Sequence, residues 1–396
     1  MSTHDLALLF AVAGAAAVAA LALEPLARAI GLPTPLVFLL GGLLLGELWT
    51  GSHDAAGPDV IAIFGTIALV IVLLQGGLQC GLEAVRSQIA PVLSLGIAGT
   101  AVTFGLVALA AHELVGLGWT PALLLGAVLS PTDPAAVFAA VSRAGAGGAR
   151  VVRLLEAEAG FNDPVAIALT LALVSAVGST SGDIDAGSIA WTTGRELVIG
   201  SVVGLAFGLI ARRLLGPRMP TLALAPALAI LAGAFMTFGV GYLAHGSGFV
   251  AVYLFGLVLG DSRDLPQAVT VRTFGEQLAS LAEIAMFVLL GVALADVPLR
   301  HAVFDAALLT LVLVVVIRPL VVYPLLRAFR RTHAESVFAT IGGLKGAVPI
   351  LLAALALQAE LDGSERIFAL AGLVVLLSLA IQGPLVARLA PGIADK

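Results

Sequence analysis

Apolar runs recur along the chain, and most are about as long as the roughly 20-residue helix that crosses a lipid bilayer. Hydrophobic residues make up 60% of the 396 residues and charged residues only 11%, so the sequence lacks the polar surface of a soluble protein of this length. A membrane β-barrel would instead show short strands of alternating polarity. The pattern predicts an all-α, polytopic membrane protein.

Hydropathy divides the chain into about thirteen predicted transmembrane helices. Several of these spans are short or are interrupted by glycine and proline. In chain order the predicted spans cover residues 5–24, 33–49, 59–80, 88–111, 119–141, 150–178, 190–211, 221–244, 247–260, 272–295, 302–327, 334–357 and 366–390.

Basic residues lie mainly in the loops that follow odd-numbered spans, whereas loops after even-numbered spans contain only Arg195, Arg300 and Arg366. By the positive-inside rule the odd-numbered loops are cytoplasmic. We therefore expect a multi-pass protein of the inner (plasma) membrane, with its N-terminus outside and its C-terminus in the cytoplasm. No basic segment precedes the first apolar run, so we expect that span to be retained rather than cleaved as a signal peptide.

The sequence also resembles itself. LVFLLGGLLLGE (residues 36–47) in the second span is similar to VAVYLFGLVLGD (residues 250–261) in the ninth, and TIALVIVLL (residues 66–74) is similar to EIAMFVLLG (residues 283–291). The paired segments lie an odd number of spans apart and so have opposite orientations, which is the inverted-repeat pattern of secondary transporters. The alternative is a chance similarity between independent glycine-rich helices.

An inverted repeat predicts two discontinuous helices that cross near the bilayer midplane. The fifth span contains LSPTDPAAV (residues 129–137) and the twelfth contains GGLKGAVPI (residues 342–350), and neither sequence suits a regular helix interior. Such breaks leave opposed half-helix ends with unpaired partial charges. We expect Asp133 to offset the positive ends and Lys345 to offset the negative ends.

Asp163 lies near the middle of the sixth span, where a charge is unfavourable unless it has a partner or a function. It is either a structural carboxylate with a neighbouring partner or a water-exposed carboxylate that binds a proton or a cation in turn. Two mutually exclusive ligands on one group are sufficient for obligate exchange. Asn162 beside it either makes a packing contact or belongs to the site, with Asp163 the better candidate of the two for direct contact with the cation. The predicted cation/proton-binding set is Asp163, Asp133, Thr132 and Asn162.

Other polar residues in the spans have structural interpretations. We predict a structural ion pair between Glu158 and Lys345, with competition between Lys345 and the transported ion as the alternative. Arg318 is expected to neutralise a core carboxylate or backbone dipoles at the crossing. Gln75 is either a packing residue with satisfied hydrogen bonds, which we favour, or a cavity-lining ligand. Glu156 is expected to be an interfacial charge.

Several classes of function find no support in the sequence. Cys80 is the only cysteine, so an intramolecular disulfide or a cysteine metal cluster is excluded. No phosphate loop or nucleophile elbow indicates an ATP-driven pump or another enzyme. No basic tail suggests a nucleic-acid partner. We expect no cofactor beyond transported ions.

Four segments together resemble the monovalent cation:proton antiporter family, on its electroneutral Asn-Asp branch near the NhaP-like sodium/proton and potassium/proton antiporters. The segments are EAEAGFNDPVA, LSPTDPAAVF, IGGLKGAVPILLA and GSGFVAVYLFGLVLGD. The resemblance implies one-for-one exchange of protons for Na⁺ or K⁺ by an elevator-like motion in a homodimer. It makes Asp163 the carboxylate for the proton and the monovalent cation, assigns Thr132 and Asp133 to the unwound crossing segment, and pairs Glu158 with a basic residue at position 345.

The resemblance also implies a division into domains. Residues 1–80 and 221–300 correspond to the two halves of a dimerisation or scaffold domain, and residues 190–220 to a linking helix. Residues 81–189 and 301–396 correspond to the core transport domain. Some potassium-transporting relatives carry a cytoplasmic regulatory domain after the last span; the sequence stops at Lys396, so we expect such control to be absent or removed.

The sequence departs from the family pattern at four positions. Lys345 stands where arginine is usual, Ala159 where serine is frequent, and Gln75 where relatives often carry an acid; the bulky Phe161 precedes Asn162. These departures leave the choice between Na⁺ and K⁺ open. Two other functions remain as alternatives, a Na⁺-coupled organic-anion symporter of similar crossed-helix fold and a transport-inactive membrane sensor.

Overall fold

A computed structural model describes residues 33–48, 57–133, 150–178, 186–215, 225–261 and 267–394, together with the single positions 14, 18, 22, 137 and 141. Within these ranges every regular element is helical. The predicted first span lies almost entirely outside the described residues, as do residues 134–136 of the predicted break in the fifth span.

The helices match the predicted spans from the second to the last. They are α1 (Thr34–Leu48), α2 (Pro58–Cys80), α3 (Leu82–Ser87), α4 (Ile89–Val115), α5 (Trp119–Val128), α6 (Arg150–Val177), α7 (Ala186–Leu214), α8 (Pro226–Leu243), α9 (Gly248–Gly260), α10 (Ala268–Ala295), α11 (Val303–Ala328), α12 (His333–Ile341), α13 (Ala347–Gln358), α14 (Ser364–Leu389) and α15 (Pro391–Ala394). A short 3₁₀ turn, Leu299–His301, precedes α11. Among the described residues, eight helices are long and apolar enough to cross a membrane, and α1, α5, α9 and α13 are shorter apolar helices.

Local sequence explains several helix ends. Pro58 and Pro226 stand at the first turn of α2 and α8, where a missing N–H costs no hydrogen bond. The Ser247 hydroxyl caps α9 by accepting a hydrogen bond from the Val250 N–H at 3.3 Å. Thr332 and Glu335 form a reciprocal capping box at the start of α12.

Close glycine contacts show the internal repeat directly. Gly42 of α1 meets Gly291 of α10, and a Cβ added to Gly42 would lie 3.0 Å from the Gly291 Cα. Gly77 of α2 meets Gly256 of α9 in the same way, at 2.9 Å from an added Cβ to the Gly256 Cα. Gly42 and Gly256 are separated by as many residues as Gly77 and Gly291. The two contacts are therefore equivalent under one repeat, which confirms the predicted inverted symmetry.

Both glycine contacts relate the two halves of the chain by the same residue offset, which can be compared with the segments paired from the sequence. This offset keeps the predicted pairing of residues 36–47 with residues 250–261 and shifts the pairing of residues 66–74 with residues 283–291 by a few positions. In addition, α4 and α11 each contain a π-helical turn, Ser94–Gly99 and Leu313–Ile317, although the two turns are not at the same position in this register. Single π-helical turns inside α-helices are frequent at functional sites.

The two broken helices meet as predicted. The chain leaves the helical conformation after α5, and the Asp133 N–H donates to the Leu344 carbonyl at 2.8 Å. Leu344 lies in the non-helical segment between α12 and α13. This backbone bond joins the two breaks, so the predicted crossing is confirmed for the part of it that lies in the described residues.

The helices pack into two groups that enclose a cavity. In one group α1 packs against α10, and α2 packs against α9 and α10; in the other, α5 packs against α4 and α6, and α14 packs against α11 and α13. α7 contacts α8 and α9 of the first group and α6 of the second. The cavity lies where α2 and α10 face α6 and the start of α13.

Candidate functional site

Asp163 lies in α6 immediately before Pro164, and its side chain borders the cavity between the two helix groups. The residue is 7% exposed, and its Oδ1 atom has no hydrogen-bond partner among the described residues. A buried carboxylate oxygen without a partner is unfavourable. A proton or a cation supplied from the cavity would relieve that penalty.

The cavity has a volume of about 480 Å³ and acidic groups on both walls. Asp133, Glu156 and Asp163 line it on the side of α6 and the crossing, and Glu276 and Glu283 line it from α10. No lysine, arginine or histidine is found among the described residues that line the cavity. The electrostatic potential there favours cations over anions.

Asn162 connects α6 to the break that follows α5. Its Nδ2 atom donates to the Thr132 Oγ1 atom at 2.7 Å, and its Oδ1 atom accepts from the Thr132 N–H at 3.4 Å. Thr132 lines the cavity. Asn162 therefore holds Thr132 in position, and Asn162 itself is not among the described residues that line the cavity.

The half-helix ends at the crossing carry the compensating charges that the sequence predicts. The Asp133 carboxylate lies against Gly346, just before the N-terminus of α13, where a Cβ would overlap it. Lys345 Nζ donates to the carbonyls of Pro131 at 2.7 Å and Ser130 at 3.4 Å, both beyond the C-terminal end of α5. A carboxylate at a helix N-terminus and an ammonium at a C-terminus both stabilise the helix dipole.

The predicted ion pair between Glu158 and Lys345 is wrong. Glu158 Oε1 accepts instead from Arg318 Nη1 at 3.2 Å, because α11 brings the guanidinium to α6 while Lys345 turns toward the α5 carbonyls. Arg318 Nη2 also donates to the Ala339 carbonyl near the end of α12, at 3.2 Å. Arg318 thus neutralises a core carboxylate, which is one of the two alternatives predicted for it, and also donates to a backbone carbonyl of α12.

Gln75 of α2 does not have the satisfied packing contact that we favoured. It is 5% exposed, and neither amide atom has a hydrogen-bond partner in the described part of the chain. The side chain lines the cavity, and its Oε1 atom lies against Gly275 of α10. The alternative interpretation, a cavity-lining polar residue, fits the structure.

Sequence reasoning missed two acidic residues and two polar residues. Glu276 and Glu283 line the cavity, and the rule that intramembrane carboxylates are functional candidates would have identified them in the tenth span. Ser378 Oγ accepts from the Lys345 N–H at 3.0 Å and donates to Gln382 Oε1 at 2.6 Å. These α14 side chains support the second break, and no sequence motif indicated them.

Comparison with known proteins places the chain among transporters. The family described as "Sodium/hydrogen exchanger, transmembrane" matches residues 14–391. The K⁺/H⁺ antiporter NhaP of Alkalimonas amylolytica is 36% identical over 355 residues, which are 89% of this chain and 61% of that protein. The K⁺/H⁺ antiporter NhaP2 of Shewanella sp. (strain MR-4) is 31% identical over 362 residues, or 91% of this chain and 62% of that protein.

The Na⁺/H⁺ antiporter ApNhaP of Aphanothece halophytica is 28% identical over 368 residues, which cover 89% of this chain and 68% of that protein. The chain spans less than two thirds of the length of the two potassium antiporters, 61% and 62%. The structure of the sodium proton antiporter MjNhaP1 from Methanocaldococcus jannaschii superimposes with a TM-score of 0.84 at 23% identity, covering 99% of this chain and all of that one. This match shows a common fold.

Proposed function

This chain belongs to the sodium/hydrogen exchanger family, and we propose that it exchanges protons for a monovalent cation, Na⁺ or K⁺, across a membrane. One observation carries the proposal. The cavity between the helix groups is lined by five carboxylates and, among the described residues, by no basic side chain, and it borders the unpartnered Oδ1 of Asp163.

Exchange follows from the chemistry of one buried carboxylate with two ligands. A proton and a cation each neutralise Asp163, but both cannot do so at once. Because an unpaired charge is unfavourable in a low-dielectric interior, neutralising Asp163 lowers the free energy needed to move the site across the membrane. If only the neutralised site moves, each cation that leaves must be replaced by one proton, and transport is one-for-one and electroneutral.

The chemistry of the site supports both ions. Thr132 and Asp133 supply further oxygen atoms beside Asp163, and hard monovalent cations bind oxygen ligands. Two of the relatives are named as K⁺/H⁺ antiporters and a third as a Na⁺/H⁺ antiporter. We therefore propose the class of monovalent alkali cations as the substrate.

Alternating access is proposed to arise from an elevator-like motion. The moving body would comprise residues 81–189 and 301–396, and the static body residues 1–80 and 221–300, joined by residues 190–220. The position of the cavity between the two helix groups supports this division. We further propose a homodimer in the inner membrane with a cytoplasmic C-terminus.

An organic-anion symporter is disfavoured by the same site. Such a protein would present positive half-helix ends to its substrate. Here the Asp133 carboxylate lies beside the N-terminus of α13, and the acidic cavity walls repel an anion.

The test uses the purified protein in proteoliposomes with a pH-sensitive dye inside. Addition of Na⁺, K⁺, Li⁺ or Rb⁺ to the wild-type protein is expected to drive proton movement whose rate is insensitive to an imposed membrane potential. Asp163→Asn should reduce that movement to the level of empty liposomes, because the amide cannot bind a proton or a cation in turn. Asp362→Asn, an exposed carboxylate between α13 and α14, serves as the control.

Two results would contradict the proposal. Cation-dependent proton movement by Asp163→Asn would exclude Asp163 as the exchanging group. No movement with any of the four cations, in a wild-type protein that is folded and correctly inserted, would support the transport-inactive sensor instead.

A further inference from the structure

We propose that Glu283 of α10 is a second cation-binding carboxylate, which holds the ion from the wall opposite Asp163. The inference rests on the proposed cation exchange and adds a residue to it from the other helix group. Glu283 and Asp163 line the same cavity of about 480 Å³, Asp163 from α6 and Glu283 from α10.

Glu283 belongs to a polar face of α10 that is directed into the cavity. Glu276, Ser280, Glu283 and Phe287 all line the cavity, and their spacing of three and four residues puts them on one side of the helix. Glu276 is exposed, whereas Glu283 is half-buried two helical turns further along. The face therefore leads from solvent toward the interior and ends in apolar Phe287.

Glu283 and Asp163 lie at comparable distances from the starts of their helices. Each is roughly 20 Å along its helix from the first residue of α6 or α10, at 1.5 Å per residue. Both helices follow loops that the distribution of basic residues assigns to the cytoplasm. If both helices start at the cytoplasmic face as expected, the two carboxylates lie on opposite walls near the same level of the membrane, while Glu156 and Glu276 lie nearer the helix starts.

Unpartnered polar atoms in the same cavity indicate a ligand. Asp163 Oδ1 and both amide atoms of Gln75 are buried without hydrogen-bond partners among the described residues. No basic side chain lines the cavity in those ranges to neutralise Glu283. A monovalent cation between the walls would interact favourably with both carboxylates, and its single positive charge would balance the charge of Asp163 while Glu283 adds a second attraction.

The proposed position of Glu283 on the wall opposite Asp163 determines which step of transport it affects. It stabilises the bound cation through its charge and does not carry the exchanged proton, which remains on Asp163. Loss of Glu283 should therefore weaken cation binding and leave turnover at saturating cation intact. Asp163, in contrast, is needed for any turnover.

The experiment measures exchange in proteoliposomes as a function of K⁺ and, separately, Na⁺ concentration. Glu283→Gln is expected to raise the apparent KM for the cation on the order of tenfold, as for a charge interaction weakened by a water-filled gap. The kcat should stay within about twofold, since binding and not turnover is changed. Glu283→Asp, which keeps the charge, should restore most of the affinity.

Two further variants make the result specific. Glu47→Gln removes an exposed carboxylate at the end of α1, away from the cavity, and should leave the KM unchanged. Glu283→Ala tests the same charge if the glutamine variant fails to fold. Cation-dependent thermal stabilisation of the purified protein gives a second readout, and it should need a higher cation concentration in Glu283→Gln.

An unchanged KM in a folded Glu283→Gln protein would overturn the inference, and so would a fall in kcat at constant KM. Asp163→Asn, measured in parallel, separates the two levels of the argument. If it is inactive while Glu283→Gln behaves as the wild type, the exchange function stands and only the role of Glu283 fails.

Discussion

Glu158 and Asp163 lie less than two turns apart on α6, are both almost completely buried, and have opposite surroundings. Glu158 is 2% exposed and pairs with Arg318 at 3.2 Å, beside a void of only about 10 Å³. Each carboxylate has one oxygen without a described hydrogen-bond partner, Glu158 Oε2 and Asp163 Oδ1, but only Asp163 borders a cavity of about 480 Å³. Burial alone does not separate the paired, structural carboxylate from the one that we propose exchanges ions.

The difference arises from the direction in which each side chain leaves the helix. Five residues of an α-helix turn through about 500°, so the two carboxylates leave α6 about 140° apart. Glu158 faces α11 and the arginine that follows its π-helical turn, while Asp163 faces α2 and α10 across the cavity. One helix thus pairs with Arg318 of α11 on one side and presents Asp163, the proposed exchange site, to the cavity on the other.

The largest effect on stability is expected when the buried guanidinium of Arg318, the partner of Glu158, is removed. Arg318→Ala leaves the Glu158 charge buried without its partner and is expected to lower the free energy of unfolding by about 3–5 kcal/mol. The thermal unfolding midpoint of the purified protein in detergent measures the effect. Asp163→Asn should keep the wild-type midpoint or exceed it, because it removes an unpartnered charge.

A matched double variant isolates the ion pair. Glu158→Gln combined with Arg318→Met removes both charges and should be more stable than Arg318→Ala alone. If Arg318→Ala unfolded at the wild-type temperature, the Glu158–Arg318 pair would not be the structural element that the comparison makes it.

The contrast also shows which features a sequence can predict. Hydropathy gave the described spans to within a few residues, and the proline and glycine runs located both breaks, because backbone chemistry is local. The assignment of Asp163 as a cavity carboxylate followed from an unpaired charge in an apolar span. Each of these inferences needs only residue type and spacing.

Features that depend on packing were not accessible in the same way. The choice between Arg318 and Lys345 as the partner of Glu158 depends on how α11 and α12 pack against α6. Likewise, whether Glu283 faces the cavity depends on how α10 packs against its neighbours, α1 and α2 among them. The sequence contains all four side chains but not the distances between them.

A smaller effect is expected at Lys345, whose ammonium contacts two carbonyls at the α5 break. Lys345→Met keeps the length of the side chain and removes the charge. It should lower the free energy of unfolding by about 1.5–3 kcal/mol, the range for hydrogen bonds to charged groups. Thermal unfolding and the pH profile of exchange are measured together.

Thermal unfolding and the pH profile together test whether Lys345 competes with the cation for a carboxylate. Lys345 is 0% exposed and is not among the residues that line the cavity, so the pH profile should keep its shape. A variant of unchanged stability with a shifted pH profile would instead support competition between Lys345 and the cation for a carboxylate.

The smallest effect is expected for the hydrogen bond between Asn162 of α6 and Thr132 of the break after α5. Asn162 Nδ2 donates to Thr132 Oγ1 at 2.7 Å, and Thr132 lines the cavity while Asn162 does not. Asn162→Ala and Thr132→Val should each lower the free energy of unfolding by about 1 kcal/mol, and the double variant should lose less stability than the sum of the two single losses.

Thr132→Val should also raise the apparent KM for the cation, because it removes an oxygen from the cavity wall. If Asn162→Ala raises the KM to the same extent, Asn162 acts on transport by holding Thr132 in place; additive effects on KM would mean that the two residues contact the cation independently.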